Sequence, residues 1–238
     1  MSHFLDVPRV TLGLLLGFDA ALLRIVVLSV AVSFSATVAS AVFGLPLGAA
    51  LAVFRFRGRA LLILLANALL GLPPVVVGLA LYLLLSRSGP LGALGILFTP
   101  TAMVIAQFVL ALPIVTALSH RAMEGIWRDY GDDLLVSGAT RLRAIPHLLS
   151  IGRRESLTAV LAGFGRTISE VGAILIVGGN IAGYTRTMTT AIVLKTSEGN
   201  LAFALALGLV LIAISLAVSA CAFGLEARSR RNLRQGTA

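Results

Sequence analysis

Apolar residues gather along the chain into five runs separated by polar connections: Ile25–Phe54, Leu61–Leu85, Leu94–Leu118, Leu157–Gly179 and Leu201–Leu225. Each is long enough for a membrane crossing, which needs about 20 apolar residues as a helix. Helices are expected because backbone polar groups in lipid must be satisfied within their own segment. The strict apolar–polar alternation of a membrane barrel is absent. A shorter stretch, Val10–Phe18, cannot span and is predicted to lie as a helix in the interface, within an N-terminal segment over residues 1–24. The pattern thus predicts an all-α, polytopic membrane protein with a five-helix domain over residues 25–225 and a basic tail over 226–238. The first run exceeds the bilayer thickness and contains Pro46, so it is expected to tilt, bend or protrude. Pro73 and Pro74 remove two backbone donors from the second run and predict a kink or break there, either a gate or a plain bend.

Composition agrees. Of 238 residues 58% are hydrophobic and only 12% charged, against about a quarter charged in soluble domains. The net charge of +9 would suggest nucleic acid, but its distribution does not. Thirteen Arg or Lys residues fall on one side of the five runs and five on the other. The positive-inside rule then puts the N-terminus outside and the C-terminus in the cytoplasm. The charge is a topology signal. With Asp6 ahead of any Arg or Lys and only a short apolar stretch following, no cleavable signal peptide is expected. The single cysteine, Cys221, sits in an apolar run and is expected to behave as a small hydrophobe.

The longest connection, Ser119–Ser156, has helix grammar of its own. Asp132 and Asp133 suit a helix start, Gly138 a stop, and Thr140 the cap of a second short helix. Leu142, Ile145, Leu148 and Leu149 recur at helical spacing and give that second helix an apolar stripe. A stripe in this place needs a covering surface: another protein, its own bundle, or lipid headgroups.

The fourth run contains "GRTISEVGA", with Arg166 and Glu170 four residues apart. A charge at bilayer depth costs roughly 2.5–3.5 kcal/mol on insertion scales, so such residues face a partner or an aqueous path. One helical turn would let the two pair. Either the pair holds helices together, or Arg166, Ser169 and Glu170 line a pathway in which the carboxylate keeps the arginine from trapping an anion. Beyond lies "NIAGYTRTMTT", where Asn180, Thr185, Arg186 and Thr187 either receive an anion or form an ordinary solvated loop; the latter is expected. No phosphate-binding loop is present, because Lys195-Thr196 lacks the glycine-rich turn. His3, His120 and His147 are scattered, so neither metal, cofactor nor catalytic activity is expected.

The connection "GDDLLVSGATRLRAIPHLLSIGRRE" resembles the EAA loop of binding-protein-dependent ABC importer permeases. Asp132 stands where that family has glutamate, Gly138 matches its glycine, and Leu134 replaces an alanine; the Ile-x-Leu-Pro ending is absent. Leu70–Gly92 and Gly165–Ile192 resemble conserved regions of molybdate- and tungstate-type permeases, and the whole stretch from Arg24 to Leu225 is similar to the tungstate type. The resemblance implies a type I importer fold. It implies an ATPase-coupling role for Asp132, Asp133, Gly138, Ala139, Thr140 and Ile145, and an outer gate or kink at Pro73, Pro74 and Asn180. It also implies two permease copies forming a ten-span pore in a bacterial inner membrane, two ATP-binding subunits, and an extracytoplasmic oxyanion-binding protein. Molybdate or sulfate are the alternative substrates. A nucleotide-independent carrier is the rival, although the five runs show no repeated halves.

Overall fold

The computed structural model describes residues 19–235 together with Thr11, Gly13 and Gly17, with side chains through Gly224. Apart from those three residues, the expected interfacial helix over Val10–Phe18 lies outside the described residues, as do the side chains of the tail 226–238. Those described form helices and no strand: α1 Ala20–Val53, α2 Arg59–Ala68, α3 Pro74–Leu85, α4 Pro100–Val136, α5 Arg141–Ile151, α6 Arg153–Ile168, α7 Gly172–Gly178, α8 Met188–Ser197 and α9 Leu201–Gln235. Three are long and apolar enough to cross a membrane alone: α1, α4 and the Leu201–Gly224 part of α9. Two bent pairs, α2 with α3 and α6 with α7, bring the count to five, one for each apolar run.

Sequence chemistry explains the bends. After α2 a single 3-10 turn, Leu69–Gly71, ends in extended backbone at Leu72 and Pro73. Pro74 then occupies the first position of α3, where a missing N–H costs nothing. The predicted break at Pro73 and Pro74 is present. Pro46, by contrast, leaves α1 one continuous helix of 34 residues. That length is about 51 Å, well beyond a hydrocarbon core of about 30 Å.

The long connection departs most from expectation. Helix α4 does not stop at Leu118; it runs on to Val136, so half of Ser119–Ser156 extends a span. Asp132 and Asp133 consequently sit in the final turns of α4 and start no helix. The reason is the stripe Ala122, Met123, Ile126 and Trp127, resumed at Leu134, which continues to find apolar contacts beyond Leu118. Carboxylates oppose the dipole at a helix C-terminus, and both are exposed, where solvent weakens that cost.

The chain divides into two compact units. One gathers the chain up to Ser35 with Pro73–Gln107 and Thr167–Ala217. Its core rests on α3 against α7, where a Cβ on Gly78 would come within 2.8 Å of the Ala173 Cα; only glycine admits this approach. The other gathers Ala36–Leu72, Phe108–Arg166 and the chain from Val218. Its core is built from Ala49, Ala52 and Val53 of α1, Met123 of α4 and Leu148 of α5.

Candidate functional site

The segment joining α4 to α6 ends and restarts in the way its residues dictate. Gly138 adopts φ +87°, the left-handed region that costs a side-chain-bearing residue energy. Its N–H donates to the Leu135 carbonyl at 3.1 Å, and the Ala139 N–H to the Leu134 carbonyl at 3.0 Å. This is a Schellman stop, satisfying two carbonyls the helix end leaves free. Thr140 then caps α5, its hydroxyl accepting from the Arg143 N–H at 3.4 Å. The glycine stop and threonine cap stand as expected.

The apolar stripe of α5 is covered by its own chain. Leu148 is fully buried against Met123, Ala49, Ala52 and Val53, and Ile145 and Leu149 pack at the edge of this cluster. Leu142 does not belong to the stripe: it is 69% exposed, and Ala144 takes the buried place beside Leu148. Whatever meets α5 from outside must therefore use its exposed side chains, Arg141, Leu142, Arg143 and His147 among them.

At the charged break the helix stops between the two charged residues. Helix α6 ends at Ile168, so Arg166 lies in its last turn while Glu170 lies beyond it. The two are not one turn apart on a continuous helix. The hydrophobic pattern continues into α7, but Gly172 and the close approach to Val75 reset the chain direction. Ser169 is exposed, Arg166 is half-buried, and Glu170 is buried at 3% exposure. One Glu170 carboxylate oxygen accepts from the Ala173 N–H at 3.2 Å, beside the start of α7. The Glu170 carbonyl accepts from the Thr189 hydroxyl of α8 at 2.7 Å. Glu170 thus builds the break: its carboxylate satisfies a free helix donor and complements the local dipole.

The connection after α7 is exposed from Ile181 to Tyr184 but buries its threonines. Gly179 and Asn180 are both left-handed, at φ +70° and +51°, which turns the chain. Thr185 is wholly buried; its hydroxyl donates to the Gly178 carbonyl at 2.6 Å and accepts from the Ile181 N–H at 2.9 Å. Asn180 is held by Arg186, whose Nε donates to Asn180 Oδ1 and whose Nη2 donates to the Asn180 carbonyl, each at 3.3 Å. Thr187 and Thr190 cap α8 reciprocally. The threonines of this stretch are buried and spent on hydrogen bonds, while Ile181 to Tyr184 stay exposed.

Two features were missed. Gln107 is buried between helices, its Nε2 donating to the Thr167 carbonyl at 2.8 Å and to Ser33 Oγ at 3.3 Å. The hydroxyl ladder Ser29, Ser33, Thr37 and Ser40, all buried on one side of α1, was legible in its spacing of four, four and three. The second feature is Arg59, which reaches the Leu51 carbonyl, His120 and Glu124. Nothing in local sequence brings those residues together.

Comparison with known proteins matches residues 44–234 to the model of the binding-protein-dependent transport system inner membrane component. A "probable anion ABC transporter permease protein" of Haloferax volcanii is 40% identical over 90% of this chain and 94% of its own. The tungstate uptake system permease protein of Peptoclostridium acidaminophilum is 38% identical, over 95% and 99% respectively. The sulfate transport system permease protein of Salmonella typhimurium is 29% identical over 77% and 69%.

Proposed function

Since the chain belongs to the family of binding-protein-dependent transport system inner membrane components, we propose that it is the permease subunit of an ABC importer for a tetrahedral oxyanion, tungstate in the first place. Membership carries the coarser facts: a multi-pass protein of the inner membrane that works with an ATP-binding subunit and a substrate-binding protein. The proposal adds the substrate, two copies of this chain around one pore, two ATP-binding subunits that perform all the hydrolysis, and an N-terminus outside with the C-terminus in the cytoplasm. Tungstate is supported by the 38% identity to a tungstate permease along almost the full length of both chains, against 29% over a smaller share for the sulfate relative.

The observation that carries the mechanism is the seat of α5. Leu148 is locked into one cluster with the end of α1 and with Met123 of α4. An ATP-binding subunit pressing on the exposed face of α5 therefore moves two long apolar helices together, because a close-packed core transmits displacement instead of absorbing it. In this reading Asp132, Asp133, Gly138, Ala139, Thr140 and Ile145 shape the seat and its approach. Ile145 acts from the packed side, and the two aspartates present charge to the ATP-binding subunit. Pro73, Pro74 and Asn180 set bends near the path. Arg166 and Ser169 remain the pathway candidates, whereas Glu170 supports the wall from behind.

Uptake tests this reading. Vesicles holding the permease, its ATP-binding subunit and its binding protein should accumulate tungstate only with ATP inside the compartment that bears α5. Accumulation without nucleotide would identify a secondary carrier and end the proposal. A preference for sulfate over tungstate with the cognate binding protein would keep the transporter and replace its substrate.

A further inference from the structure

We infer that the groove between the start of α1 and the α7–α8 connection is a binding site for an anionic phospholipid. Five apolar residues of α1, Leu23, Ile25, Val27, Leu28 and Ala31, wall a cavity of about 420 Å³, flanked on the other side by Gly183, Tyr184 and Arg186. Arg24 stands at the head of the same groove. The positions 24, 27, 28 and 31 repeat at helical spacing, so the apolar wall runs along the helix from the arginine for about 10 Å. The groove is charged at one end and oily along its length.

Charge complementarity names the occupant. Among the described residues Arg24 makes no ion pair or hydrogen bond, and Arg186 bonds Asn180 alone. Two guanidinium groups thus share the head of the groove with no carboxylate neutralising them among the described residues. A hydrated inorganic oxyanion would satisfy that charge but gain nothing from the apolar wall. A zwitterionic lipid would fill the wall but bring a cation to the arginines. An anionic phospholipid does both: its phosphate meets the guanidinium fork, its acyl chain lies along Val27 and Ala31, and Tyr184 sits at the headgroup level that amphipathic aromatics favour. The site does not depend on which side of the membrane it faces, nor on the transported substrate.

Native mass spectrometry of the full-length protein tests this, with phosphatidylglycerol, phosphatidylcholine and inorganic phosphate titrated in parallel. Phosphatidylglycerol should be retained about fivefold or more over phosphatidylcholine, given about 1 kcal/mol per arginine near an anionic headgroup. Arg24→Gln should remove most of that preference. Ala31→Trp, which fills the exposed stem of the groove, should weaken retention of both lipids, and Arg87→Gln on another exposed connection should change neither. Arg186 also braces Asn180, so it is left intact. Equal retention of the two lipids, or an unaltered preference in Arg24→Gln, would overturn the site. Displacement of the lipid by inorganic phosphate at equal concentration would overturn it in favour of a free-anion port. A disulfide formed between two Ala31→Cys copies in the native membrane would overturn it in favour of a subunit interface. None of these readouts measures transport, so each leaves the proposed function standing.

Discussion

Arg59 Nη2 lies 2.9 Å from Glu124 Oε1, while Nε of the same guanidinium donates to the Leu51 carbonyl at 2.6 Å. One side chain at the start of α2 thus ties the end of α1 to α4, beside the cluster that seats α5. The ion pair itself contributes little, because Glu124 is half exposed and solvated pairs are worth about 0–1 kcal/mol. The bond to Leu51 is the larger part: its loss leaves a carbonyl near the helix end without a protein donor, costing about 1 kcal/mol. Glu124→Gln should therefore leave thermal stability almost unchanged, and Arg59→Ala should lower it by about 1–2 kcal/mol. Equal losses in thermal unfolding would place the energy in the ion pair instead.

Gly138 is held at φ +87° by the Schellman stop. A β-branched residue there pays more than the roughly 1–2 kcal/mol that a left-handed conformation costs ordinary residues, whereas asparagine tolerates it. Gly138→Val should insert normally, yet misplace Thr140 and α5, so that substrate no longer stimulates ATP hydrolysis in the reconstituted complex. Gly138→Asn should retain stimulation within about twofold, being the substitution that αL geometry permits. Full coupling in the valine variant would remove α5 from the transmission path.

Much of the fold was legible because lipid simplifies the code. Apolar run length located the three long apolar helices and both bent pairs, Pro73–Pro74 announced a break, and Gly138 with Thr140 marked a stop and a start. What failed did so through tertiary contact. The end of α4 was misplaced because Met123, Ile126 and Trp127 pack against other segments of the chain, a gain invisible in the local pattern. The break between Arg166 and Glu170 went unread because the apolar pattern runs through Ile168 without announcing that the helix stops. The threonines 185 and 187 looked solvated because a hydroxyl reveals its partner only once the backbone is in place.

Glu170 provides a test of support against lining. Its carboxylate caps the Ala173 N–H, and its carbonyl takes the Thr189 hydroxyl. Glutamine keeps an acceptor for Ala173 and the same carbonyl, so Glu170→Gln should insert and fold, whereas Glu170→Ala should lose about 1–2 kcal/mol with the cap. Thr189→Val, nearly isosteric, should cost about 1 kcal/mol without touching the carboxylate. If Glu170→Gln retained stability but changed which oxyanion is carried, the carboxylate would face the substrate.

The buried and the exposed leucine of α5 separate packing from docking. Leu148 is fully buried, and Leu148→Ala should cost about 2–5 kcal/mol through lost contacts and the cavity left behind. Leu142 is 69% exposed, so Leu142→Ala should change stability by less than about 0.5 kcal/mol. Docking reverses the order: truncating Leu142 removes apolar surface from the face left open to a partner, and Leu142→Ala should weaken retention of the ATP-binding subunit in a pull-down at unaltered permease yield. Leu148→Ala should lower that yield first. Should Leu142→Ala hold its partner as firmly as the parent chain, the ATP-binding subunit would have to engage a different surface, and the push proposed here would have no point of contact on α5.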